Sequence, residues 1–199
     1  GLAVGGSTST VLANTELYNG SSWTEVNDLN TARRNMGVAG TQTASIAGTG
    51  AGAPAPLSPS CELWNGTSWS EVAEMNTPRQ SQSACGTSTS AITAGGEPGS
   101  PTNAETWNGS SWTAIATISS GGITGMAGVS NSSALAISGV PGVRGVNVEQ
   151  WNGSGWTEIA NVNVPRYHAG TSGTVTEALF FGGGDPIVTN TESWNGTSW

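Results

Sequence analysis

The sequence has 199 residues, which is enough for one large all-β domain, and only 9% of them are charged. The formal net charge is -8, there is no lysine, and the five basic residues are all arginines. This balance excludes nucleic acid and anionic membrane surfaces as partners, because both require a clustered basic footprint. No apolar run approaches the roughly 18 residues of a membrane span, so no membrane insertion is predicted.

Few residues offer metal, redox or targeting information. Cys61 and Cys85 stand at non-equivalent places in successive repeats, so we predict two free, partly buried thiols. The single histidine, His168, and the absence of a CxxC spacing predict no metal site and no cofactor. The chain starts at Gly1 and stops inside a repeated motif, so we expect a processed product or a fragment, and missing targeting signals carry little weight.

A short motif with two aromatic residues, first present at residues 18–23, organises the chain. It recurs at residues 64–69, 107–112, 151–156 and 194–199, always with Asn-Gly inside and Trp at the end. Asn-Gly between strand formers predicts a hairpin, with either a type I′ turn or a four-residue loop that includes the following Ser/Thr pair. The closing residues are Trp23, Trp69, Trp112, Trp156 and Trp199. Their regular period indicates a repeat architecture, in which we expect these aromatics to form core rather than a ligand site.

Four short strands, a to d in chain order, are predicted in each repeat unit. Residues 1–29 supply b (2–6), c (15–19) and d (22–29). Residues 30–75 supply 34–42, 44–48, 61–65 and 68–75; residues 76–118 supply 79–87, 91–95, 104–108 and 111–118; residues 119–162 supply 122–130, 134–139, 148–152 and 155–162. Residues 163–199 supply a (from 166), b (178–183), c (191–195) and the beginning of d. Eighteen strands are therefore predicted, and no helical periodicity competes.

Four-stranded units of about 40–50 residues are the blades of a β-propeller. We predict an all-β single domain: a propeller of five antiparallel blades, of which the first and last are incomplete. Strand a is expected to be innermost, because its glycines and alanines suit crowding near an axis. The alternative is a larger ring whose remaining blades lie outside this chain.

A glutamate precedes the first aromatic residue of every motif by two positions, so the two share a strand face. These residues are Glu16, Glu62, Glu105, Glu149 and Glu192. We expect each carboxylate to accept structural hydrogen bonds from backbone amides, an indole or an arginine of a neighbouring blade. The alternative is a ring of carboxylates that binds cations or sugar hydroxyls. Arg33, Arg79 and Arg166, which open strand a, are expected to brace the repeats, with an anion site as the alternative.

The order of these features resembles the kelch repeat of galactose-oxidase-like propellers. An arginine follows Asn-Thr-Ala, Asn-Thr-Pro or Asn-Val-Pro, a small pair such as Gly95-Gly96 ends strand b, and the aromatics of c and d follow. One unit departs from the pattern, because Gly121 stands where arginine is expected. The WNGTSW-type motif is also similar to repeats of marine bacteriophage virion proteins and bacterial surface proteins. That resemblance implies a structural or adhesive role on a virion or in the extracellular space at a cell surface.

The predicted function is therefore a non-enzymatic structural or attachment propeller, whose partners are other virion or surface proteins. Variable loops at residues 50–60, 97–103, 140–146 and 185–190 are expected to carry any receptor binding. A lectin-like propeller with repeated glycan sites is the alternative, and oligomerisation stays open. A glycoside hydrolase is a third hypothesis, which requires two carboxylates in different environments. One histidine argues against a catalytic triad, and scattered Tyr, His and Cys residues argue against a copper oxidase site.

Overall fold

The computed structural model describes residues 1–52, 57–99, 101–138, 145–184 and 187–199. Arg144 and parts of the four predicted variable loops lie outside these ranges. The described chain is all-β and folds into five antiparallel sheets, arranged as the blades of a β-propeller. In these ranges no helix is long and apolar enough to cross a membrane.

The described residues contain eighteen strands, which confirms the predicted number and the two incomplete blades. Blade 1 contains β1 (Leu2–Ser7), β2 (Val11–Tyr18) and β3 (Trp23–Val26). Blade 2 contains β4 (Gly37–Thr41), β5 (Ala44–Ala51), β6 (Leu57–Trp64) and β7 (Trp69–Val72); blade 3 contains β8 (Ser83–Thr87), β9 (Ser90–Ala94), β10 (Ala104–Trp107) and β11 (Trp112–Ile115). Blade 4 contains β12 (Ile123–Ser130), β13 (Ser133–Ser138), β14 (Val148–Trp151) and β15 (Trp156–Ile159); blade 5 contains β16 (Gly170–Gly173), β17 (Ala178–Phe181) and β18 (Thr191–Trp194).

Several predicted strand boundaries were wrong. The four d strands end three residues earlier than predicted, at Val26, Val72, Ile115 and Ile159, and β2 begins four residues earlier than predicted, at Val11. Two other differences have identifiable reasons. Part of the predicted loop at residues 50–60 is strand, because the β5–β6 pairing continues past an irregularity, with Gly50 opposite Ser58 and Ala51 opposite Leu57. The a strands also begin later than predicted. In blades 2, 3 and 5 the residue two places after the arginine has a left-handed backbone, with φ of 54° at Asn35, 57° at Ser81 and 53° at His168. This conformation interrupts an extended strand.

The a strands are innermost, as predicted. Each forms one edge of its sheet, and β4, β8, β12 and β16 pack side by side. They line a central cavity of about 210 Å³. The packing is close: a Cβ placed on Gly125 of β12 would lie 2.2 Å from Cγ2 of Thr171 in β16. A residue without a side chain is therefore a steric requirement at this position near the axis.

Neighbouring blades seal each other through buried apolar clusters. Each blade presents a forward face to the next blade and a rear face to the preceding one. Between blades 2 and 3, Ile46 on the forward face lies in one buried cluster with Trp107 and Trp112 on the rear face. Equivalent clusters join blades 1 and 2, blades 3 and 4, and blades 4 and 5. Blade-to-blade packing is thus the main apolar burial in the described chain.

The repeated hairpins use the four-residue loop rather than the type I′ turn. Trp64 pairs with Trp69 across the loop, and the Asn65 amide donates to the Ser68 carbonyl at 3.2 Å. The Asn65 side-chain oxygen accepts from the Thr67 and Ser68 amides, both at 2.9 Å. Only Gly66 has a positive φ, 94°, whereas a type I′ turn needs two such residues. The asparagine is required for its side-chain acceptor, which closes the loop.

A glycine at the end of strand a in blade 3 gives a first testable prediction. Gly86 has φ of 112°, and an added Cβ would lie 2.2 Å from the Ser90 carbonyl oxygen. We expect Gly86→Ala to lower the free energy of unfolding by about 2 kcal/mol or more, because strain and a backbone clash add. Gly155→Ala is the control, since its added Cβ would meet nothing within 4 Å. Urea denaturation measures both, and equal stability of the two variants would contradict the prediction.

Candidate functional site

The antiparallel order of the strands gives the propeller two different rims. Turns between strands a and b lie at the same end as the hairpins between c and d; we call this end the hairpin rim. In blade 2 the indole of Trp64, at the c–d hairpin, donates to the carbonyl of Gln42 in the a–b turn at 3.0 Å. This hydrogen bond links the two turns of the blade. The b–c loops and the linkers from d to the next a lie at the other end, which we call the loop rim. The described parts of the predicted variable loops belong to the loop rim.

In blade 2 a buried brace lies just beneath the loop rim. Glu62 on β6 and Arg33, in the linker that leads into β4, form an ion pair of 2.6 Å with both side chains fully buried. The other carboxylate oxygen accepts from the backbone and side-chain amides of Asn30, both at 2.8 Å. Arg33 also donates through Nη1 to the Ser60 carbonyl. The carboxylate is therefore saturated by donors from its own repeat unit.

Blades 3 and 5 repeat this brace with small variations. Arg79 lies 3.5 Å from Glu105, which accepts from the Asn76 backbone and side-chain amides at 2.9 and 2.8 Å. Burial lowers the pKa of the Arg79 guanidinium, and the nearby Glu105 carboxylate opposes that shift. Arg166 pairs with Glu192 at 3.0 Å and lies 4.4 Å from the centre of the Phe180 ring. The cation is thus shared between a carboxylate and an aromatic face.

The remaining two glutamates show what the brace requires. Glu149 in blade 4 has glycine at the arginine position, and it accepts instead from the Ser119 amide and hydroxyl, both at 2.9 Å. Glu16 in blade 1 is exposed, and no donor to it is found within the described ranges. In blades 2 to 5 the linker that leads into a blade supplies the partners of its glutamate.

The arginines also hold the loops of the rim. Each of the three donates through Nη1 to a backbone carbonyl in or just before strand c: Ser60 inside β6, Asn103 at 3.3 Å just before β10, and Asn190 at 3.3 Å just before β18. The residue after each arginine forms an isolated β-bridge with the start of the same loop: Arg34 with Ala51, Gln80 with Glu97, and Tyr167 with Gly184. In blades 3 and 5 each loop is therefore held at both ends, and in blade 2 the two contacts hold the strands that flank the loop.

The geometry refines the expectations for the charged residues. The arginine was expected to belong to a neighbouring blade. In the structure it belongs to the linker of the same repeat unit as its glutamate. A sugar or cation could reach Glu62 only by displacing Arg33 and Asn30, because the carboxylate is fully buried. In the part of the chain that the structure describes, no three His, Cys, Asp or Glu side chains converge on a metal site.

The tryptophans occupy the interfaces between blades. The two aromatic rings of each hairpin pack with centroids 5.2–5.4 Å apart. Trp69 is buried and donates to the hydroxyl of Thr15 in blade 1 at 2.9 Å, and Trp156 donates to the Ala116 carbonyl at 2.9 Å. Trp112 is buried and Trp199 half-buried, whereas Trp23 is 52% exposed. The five closing tryptophans are thus not equivalent in the structure, although each ends a motif with Asn-Gly inside.

Sequence reasoning missed the left-handed residues before strand a. At Asn35 and Ser81 they connect neighbouring blades, because the Ser81 amide donates to the Asn35 carbonyl at 2.8 Å. The signal was available in principle. Asn, Ser and His stand at the same distance after each arginine, and Asn and His are enriched in this conformation.

Both cysteines are free, as predicted, but they are buried rather than partly buried. Burial raises the pKa of the Cys85 thiol to about 12, and burial also raises that of Cys61. We expect both thiols to react with Ellman's reagent at least about 100-fold more slowly in the native protein than in denaturant, because the thiolate is the reactive form. The exposed position Ser110 provides a control as Ser110→Cys, which should react at once. Fast reaction of the native thiols would contradict the prediction.

The site that emerges is the loop rim, where loops of unlike sequence are clamped by a repeated, buried brace. No protein-family model matches the chain, and comparison with curated proteins finds no significant match.

Proposed function

We propose that this protein is a non-enzymatic attachment module of a virion or cell surface, and that it binds its partner through the loop rim. The observation that carries the proposal is the clamping of the b–c loops by Arg33, Arg79 and Arg166. Binding residues are commonly placed on loops that a rigid scaffold positions. Here the repeated arginines and glutamates pair with each other inside the scaffold. The sequence differences between repeats lie in the loops.

The loops differ in the ways that a recognition surface requires. The blade 1 loop is a short turn at residues 8–10, whereas the blade 3 loop contains Glu97, Pro98 and Gly99 and the blade 5 loop contains Ile187. Ile187 is 89% exposed, the highest value among the large hydrophobic side chains of the described chain. An apolar side chain held in water at a loop tip lowers the cost of desolvation when a partner covers it.

The repeat pattern supports the same proposal by resemblance. The arginine, small-pair and aromatic order is similar to kelch repeats, and the WNGTSW-type motif is similar to repeats of marine bacteriophage virion proteins and bacterial surface proteins. Such proteins act at surfaces, so the proposed location is a virion or the outside of a cell. The proposed partners are other virion or surface proteins, with surface glycans as the alternative ligand.

A binding assay with matched variants tests the proposal. The fluorescently labelled chain is titrated onto whole bacterial cells and onto a glycan array, and saturable binding is expected. Ile187→Asp, on the loop rim, should weaken binding at least about tenfold, since it places a charge in the contact. Thr67→Asp, an equally charged change on the exposed hairpin rim, should leave binding unchanged.

Three results would argue against this function. Equal loss of binding in both variants would mean that charge alone controls binding. No saturable binding to cells or glycans would remove the attachment role. Release of reducing sugar from a bound glycan would show an enzyme, which the proposal excludes.

A further inference from the structure

The first and last blades each leave one face uncovered. In the described residues, buried apolar clusters join blades 1 to 2, 2 to 3, 3 to 4 and 4 to 5, and none includes both blade 5 and blade 1. The forward face of blade 5 and the rear face of blade 1 therefore meet solvent. Both carry large hydrophobic side chains that equivalent blades bury.

On the forward face of blade 5, Leu179 is 45% exposed and Phe181 is 42% exposed. Leu179 pairs with Ser193, the residue just before the first tryptophan of its motif. The residues in the same register in the complete blades are Ile46, Ile92 and Leu135, and all three are fully buried against the next blade. Leu179 and its neighbours also line an open cleft of about 430 Å³. This face has the composition of a blade interface without the neighbouring blade.

On the rear face of blade 1, Tyr18 and Trp23 form an aromatic pair with centroids 5.2 Å apart, at the positions where every other hairpin has two tryptophans. In blades 2 and 3 the equivalent pairs insert into the cluster formed with the preceding blade. In blade 1 no buried cluster of the described residues includes the pair: Tyr18 is half-buried and Trp23 is 52% exposed. The two open faces are thus the two halves of an interface that the chain already forms four times.

We propose that these faces dock two copies of this chain head to tail, with Tyr18 and Trp23 of one copy covering Leu179 and Phe181 of the next. The argument is continuity: the contact repeats a forward-to-rear blade interface whose register and side chains are already present. Such a contact is heterologous, because each copy contributes a different surface. It closes into a ring or grows into a filament, according to the rotation between copies.

Variants that block one face at a time test the proposal, with mass measured by light scattering after size-exclusion chromatography. The native chain, 20.0 kDa as a monomer, should form larger species as its concentration rises. Leu179→Asp alone and Trp23→Asp alone should each be monomeric, because each lacks one half of the interface. A mixture of the two should form a 1:1 dimer, since each variant still has one intact face. Val129→Asp, at a side chain that is 60% exposed outside both faces, should assemble like the native chain.

Two results would overturn the inference. A native chain that is monomeric at every concentration excludes the second copy as occupant of these faces. Dimers of either single variant would show a contact between like faces. A circular dichroism spectrum identical to that of the native chain verifies folding of each variant, which is expected because both side chains are already half in water.

Discussion

Replacing Trp69 by alanine is expected to lower the free energy of unfolding by about 3–5 kcal/mol, the range for truncation of a buried aromatic residue. Trp69 is 6% exposed and packs in the cluster between blades 1 and 2. Truncation removes that packing and also leaves the buried Thr15 hydroxyl without the indole donor that it accepts from at 2.9 Å. Both losses act on the same interface, so they add to one large effect.

Trp23→Ala is the matched control, because Trp23 closes the same motif in blade 1 but lies on the uncovered rear face. We expect a loss of less than about 1 kcal/mol, as for other exposed positions. A third variant, Trp69→Phe, separates the two contributions, since it retains most of the packing but removes the N–H. Its cost should be about 1–2 kcal/mol. Denaturant melts of dilute, monomeric protein measure all three, and equal effects of Trp69→Ala and Trp23→Ala would contradict the interface model.

The periodic part of this structure was predictable because it depends on short-range signals. Asn-Gly marks each c–d hairpin, and alternation on either side of it defines the strands, so the eighteen strands and five blades followed. What failed depended on backbone conformation at single residues. Nothing in the composition of residues 50–60 shows that the β5–β6 pairing continues beyond Gly50, and Asn35 interrupts a strand that its neighbours would favour.

The charged residues of the candidate site were predicted, but the ion pairs within a repeat unit were not. The five glutamates and three arginines were identified by their period, yet their pairing within a repeat depends on where the linker passes over strand c. The exposed state of Glu16 and Trp23 was not visible either, because both residues stand at the same motif positions as their equivalents in the other blades. Equivalence in sequence becomes equivalence in structure only when a neighbouring segment is present on both sides.

The second large effect is expected from the brace of blade 2. Arg33→Met should lower the free energy of unfolding by about 3–5 kcal/mol, because it leaves the Glu62 carboxylate buried without its counter-charge. Both side chains of this pair are fully buried and 2.6 Å apart. For a domain of this size that cost corresponds to a melting temperature lower by about 10 °C. Thermal melts followed by circular dichroism measure it.

A double-variant cycle then separates the charge pair from the other bonds of the brace. Glu62→Gln retains an acceptor for the Asn30 amides but leaves Arg33 as an unpaired buried cation. The combination of Arg33→Met with Glu62→Gln removes both charges, so its cost should be smaller than the sum of the single costs by about 2 kcal/mol or more. Glu16→Gln, at the same repeat position but in water, should change stability by less than about 0.5 kcal/mol. Additive single costs, or an equal effect at Glu16, would show that the ion pair is not what holds the loop rim.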